Sequence, residues 1–328
     1  LYYPNLKNRK DFKKIKPQEV CLAKDKKGVF FKQSFILGKK IYIDAAYLAF
    51  HGGNGESGQI QGMLEVLELP YTSPSHEASS ITMNKVLTKE VLRSRSIDAL
   101  IGVGLVASSI QESVDDVCKS VFEQLELPVI IKPAHLGSSI GVKIAKTNVE
   151  LKKYLLEVSF IDTEVLVEEY IKGFKEYNCA VRLIEGKLEV SEVEEPVAKD
   201  EILSFADKYQ RGAKKKTSSE GMASLSRNLP AGISKELRIK IKETAKEVFR
   251  ACRCKGMVRV DFMYYQKKLY VIEVNPIPGS MAFYLWEASG VSFSQQITDI
   301  IIQAVEDERE RKSKKLKYSS DIIEKFVL

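Results

Sequence analysis

Residues 256–279 constrain the fold of this chain more than any other segment. Apolar and polar side chains alternate there in two runs joined by a polar turn at 266–268, which predicts an antiparallel hairpin. Because successive side chains of a strand point to opposite faces, Arg259 and Asp261 share one face of the first strand. The second strand is predicted to carry, on a single face, Val271, Glu273 and Asn275.

This hairpin predicts a metal site. Centred near Lys267, it places Asp261 opposite Glu273 and Arg259 opposite Asn275, so that two carboxylates and an amide oxygen converge. Hard oxygen ligands of this kind suit Mg²⁺, which keeps several waters and takes phosphate oxygens to complete its octahedron. The alternative is a solvated sheet face with a cross-strand ion pair. The rigid, proline-rich turn that follows ends on a glycine, which lets a ligand approach the backbone and favours the metal site.

The composition predicts a large apolar core and several domains. The 328 residues are 44% hydrophobic, and a chain of this length predicts two or three domains. No apolar run reaches the ~18 residues of a membrane-spanning helix and no secretion leader is visible, so we expect a cytoplasmic protein with no membrane partner. The five scattered cysteines are expected to be reduced thiols. A net charge of +7 fits an anionic ligand or ordinary solubility, and no motif indicates nucleic-acid binding.

A second segment predicts a phosphate-binding loop. The strand at 127–133 includes Lys132 near its end and opens into a Gly/Ser loop at 134–141. Such a loop offers unpaired backbone N–H groups and hydroxyls to a phosphate, and the lysine adds positive charge. It is not a Walker loop, because the lysine precedes the glycines. An ordinary turn is the alternative, but together with a Mg²⁺ hairpin the loop predicts a nucleotide site.

The segment 164–176 completes the predicted nucleotide site. An extended edge there would let Glu168, Tyr170 and the backbone of Ile171 contact an adenine, while Glu176 accepts hydrogen bonds from ribose hydroxyls. Taken alone, the segment is equally an ordinary strand and turn. Along the whole chain strands and helices alternate, which predicts three α/β units. One helix is predicted to begin at a capping box of Thr147 and Glu150, and a long helix is predicted to begin at Ser234.

Together these segments resemble the ATP-grasp superfamily and, within it, the D-alanine–D-alanine ligase family. The resemblance covers about residues 40 to 305 and rests on HGGNGESGQIQGMLEVLELPYTS, MNKVLTK, VIIKPAHLGSSIGV, VLVEEYIKG, ADKY, MVRVDF and VIEVNPIPGS. It implies an α/β (α+β) fold with the three-domain ATP-grasp architecture, in which ATP is held between the central and C-terminal sheets. The implied domains are an N-terminal substrate domain at 1–84, a central subdomain at 85–176 and a C-terminal, Mg²⁺-binding domain at 177–328.

The resemblance also implies a role for each residue that matches a family motif. Contacts to ATP phosphates are implied for Lys85, Lys132 and Lys208. Contacts around the nucleoside are implied for Glu168, Tyr170, Ile171, Glu176 and Ile272. Two Mg²⁺ ions, with Mn²⁺ as an alternative, are implied at Asp261, Glu273 and Asn275. In the amino-acid site, Ser138 and Tyr209 are implied to position the first substrate. Arg259 and the Gly279 N–H are implied to stabilise the oxyanion.

The implied activity is that of an ATP-dependent carbon–nitrogen ligase of peptidoglycan synthesis, with D-alanine and ATP as its small-molecule partners. ATP would phosphorylate the carboxylate of one D-alanine, and the amine of a second would attack the acyl phosphate. Two alternatives stay open: a ligase that joins another amino or hydroxy acid, and a nucleotide-binding protein without activity. Tyr209 favours a dipeptide product, and the intact metal ligands argue against an inactive protein. A homodimer is also left open.

The chain departs from the family pattern in two places. Family members usually begin with a strand, a glycine-rich turn and a Ser-x-His-Glu motif, whereas this chain begins at Leu1 without them. We therefore expect either upstream residues or an amine contact made by Glu56 alone. The segment after Gly279 is also shorter than usual by about one turn, so Ser280 and Met281 would have to replace the pair that grips the second substrate's carboxylate.

Overall fold

A computed structural model describes residues 20–33, 38–137, 139–197 and 227–314. The strands are β1 (Val20–Asp25), β2 (Gly28–Gln33), β3 (Lys40–Ile43), β4 (Gly102–Val106), β5 (Val129–Pro133), β6 (Lys143–Ala145), β7 (Glu164–Glu169), β8 (Lys175–Ile184), β9 (Lys187–Val190), β10 (Glu195–Pro196), β11 (Arg227–Asn228), β12 (Met257–Tyr265) and β13 (Lys268–Asn275). The α-helices are α1 (Gln59–Leu67), α2 (His76–Met83), α3 (Lys85–Ser94), α4 (Ala107–Glu112), α5 (Val114–Phe122), α6 (Asn148–Ser159), α7 (Lys235–Ala251), α8 (Phe283–Glu287) and α9 (Phe293–Ser313). In the described part of the chain, no helix is both long and apolar enough to cross a membrane.

Three antiparallel sheets organise these elements. An N-terminal sheet has the order β1-β2-β3, a central sheet the order β4-β7-β5-β6, and a C-terminal sheet the order β13-β12-β8-β9. The short strands β10 and β11 pair with each other. Helices pack on the central and C-terminal sheets, so the architecture is the mixed helix-and-sheet fold that the sequence predicts.

Each of the two larger sheets has its own apolar core. In the central sheet, Val165 and Val167 of β7 pack with Leu151 and Leu155 of α6. That helix begins at the capping box predicted from Thr147 and Glu150: the threonine hydroxyl accepts from the Glu150 N–H, and the glutamate carboxylate accepts from the Thr147 N–H. The sequence prediction of this helix start is confirmed.

The core of the C-terminal sheet lies between β8, β12 and α7. Ile241 and Val248 of α7 are fully buried against Val260 and Phe262 of β12. The helix is capped by the Ser234 hydroxyl, as the sequence predicts. A buried apolar face on one side of β12 leaves its other side free to carry polar groups toward the central sheet.

The β12–β13 hairpin has the predicted pairing, with Arg259 opposite Asn275 and Asp261 opposite Glu273. Its turn is tighter than predicted. Tyr265 pairs with Lys268, and the two residues between them have the positive φ angles that a type I′ turn requires. Counted from that turn, a regular ladder would place Asp261 opposite residue 272. A β-bulge there shifts the register by one and restores the Asp261–Glu273 pair.

The bulge corrects one sequence inference. Val271, predicted to share a face with Glu273 and Asn275, instead pairs with Phe262 and is buried in the apolar core. Ile272 is the extra residue at the bulge, and it reverses the alternation of side chains. Before the bulge Val271 points into the apolar core, and after it Glu273 and Asn275 point toward the site.

Candidate active site

Arg259, Asp261 and Asn275 form a hydrogen-bonded cluster on the C-terminal sheet. Two parallel hydrogen bonds of 2.7 Å run from the Nε and Nη2 atoms of Arg259 to the two carboxylate oxygens of Asp261. The amide of Asn275 donates to Oδ2 of the same carboxylate at 3.1 Å. Burial alone would lower the pKa of Arg259, but Asp261 holds it well above its usual value. The bidentate geometry therefore fixes a buried positive charge beside the predicted metal ligands.

The donor set around Asp261 and Glu273 fits a hard divalent cation. Both carboxylates line the same cavity, and ionised carboxylate oxygens are ligands that such a cation prefers. Within the described ranges no group of three or more His, Cys, Asp and Glu side chains forms a self-contained metal cage. A metal held here would thus draw further ligands from phosphate oxygens and water, as Mg²⁺ usually does.

Lys132, Glu168 and Lys89 form a buried ionic triad on the central sheet. The Lys132 ammonium contacts one oxygen of the Glu168 carboxylate, and the Lys89 ammonium contacts the other. Burial by itself would raise the pKa of Glu168, but the two ammonium groups outweigh it and lower that pKa to about 2. The pairing follows from the register, since Glu168 of β7 lies opposite Ile130, two residues from Lys132 on β5.

This geometry corrects the predicted position of Glu168. Its side chain is 1% exposed and faces the two lysines, so it does not line the cavity in which a nucleoside would lie. The neighbouring Glu169 does line that cavity. Glu169 lines the cavity in place of Glu168 because adjacent residues of β7 point to opposite faces of the sheet.

The Gly/Ser loop is anchored to helix α3. The Asn84 side chain caps α3 and donates a hydrogen bond of 2.7 Å to Glu164 at the start of β7. Lys85, the first helical residue, reaches the Leu136 carbonyl of the loop at 2.5 Å. His135 is held by Asp162, whose carboxylate accepts from the His135 backbone N–H at 2.7 Å. Lys85, which would contact a phosphate, is therefore positioned by a hydrogen bond to the start of the loop.

A cavity of about 650 Å³ lies between the central and C-terminal sheets. Its volume is typical of a small-molecule or cofactor site. Eight of the residues predicted to contact ATP or metal line it: Lys85, Lys132, Tyr170, Ile171, Glu176, Asp261, Ile272 and Glu273. Lys85 and Lys132 stand on the central-sheet side and Asp261 and Glu273 on the hairpin side, which is an arrangement that suits a metal-bound polyphosphate.

Glu56 lies in the loop before α1 and is coupled to the hairpin. Its carboxylate accepts a hydrogen bond from the Gly52 N–H. Burial raises the pKa of Glu56 to about 7; Glu273 adds to the rise, whereas the Gly52 N–H and Arg259 oppose it. The Glu56 carboxylate is therefore close enough to Glu273 and Arg259 to interact with their charges. A substrate ammonium bound beside these groups would contact it.

The segment after Gly279 forms a left-handed turn. Ser280, Met281 and Ala282 have φ angles of 53°, 51° and 48°. Consecutive left-handed residues other than glycine are strained and persist only where the surroundings fix them. Here the Met281 N–H donates to Pro278, Gln296 donates to the Met281 carbonyl at 2.7 Å, and Met281 and Ala282 are buried. Gly279 begins this turn, and Pro276, Ile277 and Pro278 separate it from the end of the hairpin.

Three predicted site residues, Ser138, Lys208 and Tyr209, lie outside the described residues. Sequence reasoning missed Lys89 and Glu169. The motif Lys85-x-x-x-Lys89 is a signal that could have found the first, because residues four apart project from the same face of a helix. No comparable signal separates Glu169 from Glu168, because which of two adjacent acids faces the cavity depends on the phase of the strand.

Comparisons with known proteins agree with this geometry. A family model described as D-ala D-ala ligase C-terminus matches residues 102–302. The chain is 39% identical over 277 residues to the D-alanine–D-alanine ligase of Thermosipho africanus, covering 84% of this chain and 72% of that protein. It is 36% identical over 263 residues to the D-alanine–D-alanine ligase of Campylobacter lari, covering 80% and 70% respectively.

Solved structures show the same likeness. The D-alanine–D-alanine ligase of Coxiella burnetii superposes with a TM-score of 0.74 at 26% identity, covering 90% of this chain and 76% of that one. The VanG D-Ala:D-Ser ligase of Enterococcus faecalis gives 0.72 at 28% identity, covering 88% and 79%. The D-alanine–D-alanine ligase of Bacillus anthracis, solved in complex with ATP, gives 0.65 at 27% identity, covering 82% and 81%.

Proposed function

The chain belongs to the D-alanine–D-alanine ligase family, and on that premise we propose that it joins two D-alanines in the cytoplasm while converting ATP to ADP and phosphate. The product, D-alanyl-D-alanine, is a precursor for peptidoglycan. The observation that carries the proposal is the cavity between the two larger sheets, with Lys85 and Lys132 on one side and Asp261 and Glu273 on the other. The proposed domains remain 1–84, 85–176 and 177–328.

ATP would lie in this cavity with its phosphates toward the lysines. Lys85 and Lys132 would balance the phosphate charge, and Lys208 is proposed to join them. Tyr170, Ile171, Glu176 and Ile272 would surround the nucleoside, with the Glu176 carboxylate accepting from ribose hydroxyls. A cavity walled by two sheets excludes water, which strengthens each of these electrostatic contacts.

Asp261, Glu273 and Asn275 would hold two divalent cations, Mg²⁺ or alternatively Mn²⁺. When bound, these ions would neutralise the charge that spreads over the oxygens of the transferring phosphoryl group. The protein contributes the bidentate Arg259–Asp261 pair, which fixes the orientation of one ligand carboxylate before a metal arrives.

The first D-alanine would present its carboxylate to the γ-phosphoryl group and its ammonium to Glu56, with Ser138 and Tyr209 proposed as further contacts. Phosphoryl transfer gives an acyl phosphate and ADP. The free amine of the second D-alanine then attacks the acyl carbon, and phosphate leaves as the peptide bond forms. The negative oxygen of the tetrahedral intermediate would meet Arg259 and the Gly279 N–H, which are preorganised donors.

A second candidate, a D-alanine–D-serine ligase, is favoured by one observation. The left-handed turn at 280–282 stands where the family usually has a longer segment that grips the second carboxylate, and the similar VanG protein of Enterococcus faecalis is a D-Ala:D-Ser ligase. The second-substrate side of the site is therefore where specificity would differ from that of a D-alanine–D-alanine ligase.

ADP release by the protein with Mg²⁺ and ATP tests both candidates. D-Alanine, D-serine, D-lactate and L-alanine are supplied singly and in pairs with D-alanine, and the products are identified by mass spectrometry. We expect D-alanyl-D-alanine from D-alanine alone. D-Alanyl-D-serine as the dominant product of the mixture would establish the second candidate, and no amino-acid-dependent ADP release from folded protein would refute both.

A further inference from the structure

Lys89 is a buried charge that the proposed function does not use. It lies one helical turn after Lys85 on α3, so both ammonium groups project from the same face of the helix. Lys85 reaches the Gly/Ser loop and lines the cavity, whereas Lys89 is closed off beneath it with a side chain only 6% exposed. Burying a charged group costs free energy, so the contacts of the Lys89 ammonium must offset its desolvation.

The contacts of Lys89 are all fixed. Its ammonium contacts one oxygen of the Glu168 carboxylate and donates to the Leu100 carbonyl at 3.0 Å. The other oxygen of Glu168 contacts Lys132, whose side chain is 14% exposed and lines the cavity. Glu168 thus links one lysine that faces the proposed nucleotide to one that cannot reach it.

Helix α3 is held tightly enough against the central sheet to make this link rigid. Residues 164, 166 and 168 share a face of β7, and they meet Asn84, Val86 and Lys89 of the helix in turn. A Cβ atom added at Gly104 of the neighbouring strand would lie 2.5 Å from the Val86 side chain. The glycine therefore permits a close approach that a side chain would prevent.

We infer that Lys89 is a positioning residue that neutralises Glu168, so that Lys132 keeps its positive charge for the nucleotide phosphates. Two ammonium groups and one carboxylate leave the triad with a net charge of +1. Without Lys89 the Glu168 carboxylate would pair with Lys132 alone, the local charge would fall to zero, and Lys132 would be drawn toward Glu168 and away from the cavity. Lys89 would then act on ATP binding without touching ATP.

This inference rests on the proposed function, because it takes Lys132 as a phosphate contact. It predicts a selective defect in ATP use. Lys89→Met, which keeps much of the length of the side chain but removes its charge, should raise the KM for ATP about ten- to hundredfold, as expected for loss of one charge-assisted contact. The KM for D-alanine should change less than twofold. The matched control is Arg93→Met, which removes an equal charge from an exposed site one turn further along α3.

The double variant Lys89→Met/Glu168→Gln distinguishes charge balance from simple packing. Removing the carboxylate as well leaves Lys132 with a neutral partner, so the KM for ATP should return to within about threefold of wild type. A further rise in the double variant, or an unchanged KM for ATP in folded Lys89→Met, would overturn the inference. If Lys89→Met does not fold, the double variant is the test, because both of its substituted side chains are neutral. A folded double variant that binds ATP weakly would also overturn the inference. Wild-type protein that releases no ADP would instead refute the proposed function.

Discussion

At the scale of single residues, the site depends on charges whose partners are mostly fixed before any ligand binds. Arg259 grips Asp261 with two hydrogen bonds, and Glu168 is shared by two lysines. Preorganised groups of this kind need little rearrangement when charge develops during a reaction. Glu273 lies on the cavity wall, where its charge adds to the rise that burial causes in the pKa of Glu56.

Glu273→Gln tests the proposed metal site. The substitution preserves the shape of the side chain but removes the charge that divalent cations require, so kcat for ADP release should fall by about two orders of magnitude or more. Glu247→Gln on the exposed face of α7 is the control and should leave kcat unchanged. Near-normal turnover in a folded Glu273→Gln protein would contradict the assignment.

Glu56 should show an unusual titration. Burial and the nearby Glu273 raise its pKa to about 7 in the free protein, so the carboxylate is protonated below that pH and charged above it. A substrate ammonium binds the charged form, and therefore the KM for the first amino acid should rise as the pH falls below the Glu56 pKa. Glu56→Gln should remove this pH dependence.

The direct measurement is a carboxyl-carbon NMR titration. In the Glu273→Gln variant the Glu56 midpoint should move to lower pH, because one cause of the raised pKa is gone. Mg²⁺ alone should move it in the same direction in the wild-type protein, because the cation offsets the charge of Glu273. A midpoint that ignores both changes would show that Glu56 and Glu273 are not coupled.

At the scale of elements, the β12–β13 hairpin aligns the site through two local irregularities. Its two-residue turn brings Tyr265 opposite Lys268, and the bulge at Ile272 moves the register by one residue. Both are needed to bring Asp261 opposite Glu273. A turn that favours positive φ angles should therefore strengthen the hairpin without disturbing the site.

The double substitution Gln266→Asn/Lys267→Gly tests whether the turn can be stabilised without changing the site. Asn-Gly is the preferred sequence for a type I′ turn, so the free energy of unfolding should rise by about 1 kcal/mol while kcat stays the same. Lys267→Val is the matched control and should lower stability, because a β-branched residue is strained at positive φ. Denaturant unfolding measures both variants. Loss of activity in the stabilised protein would contradict the expectation that the side chains of the turn do not affect the site.

At the scale of the whole molecule, function depends on two sheets that meet across one cavity. The central sheet and the helix packed on it supply Lys132 and Lys85, and the C-terminal sheet supplies Asp261 and Glu273. A ligand bound to both sheets favours the folded state by mass action, and the effect is largest when both walls are intact.

Thermal unfolding measures that coupling. Mg²⁺ with ATP at about a hundred times the dissociation constant should stabilise the protein by about 2.7 kcal/mol, which corresponds to a rise in Tm of about 5 °C. Lys132→Met should lose most of this rise while keeping the ligand-free Tm within a few degrees. An equal rise in both proteins would place the nucleotide elsewhere.

The sequence by itself determined much of this protein. Alternation of side chains predicted the hairpin and its Asp261–Glu273 pair, and the capping signals at Thr147 and Ser234 predicted where two helices begin. These features are local, since they depend on residues close together in the chain. The motif resemblance predicted the family and the mixed helix-and-sheet fold, because each motif keeps its residue types at fixed spacing.

Only the tertiary structure decided how distant residues meet. The phase of β7 turned Glu168 toward two lysines and Glu169 toward the cavity, and a bulge buried Val271 instead of placing it beside Glu273. The contact between Lys89 and Glu168 forms only because helix α3 packs on the central sheet. Burial and the approach of charges from other elements set these outcomes, and both depend on contacts between segments that are far apart in the sequence.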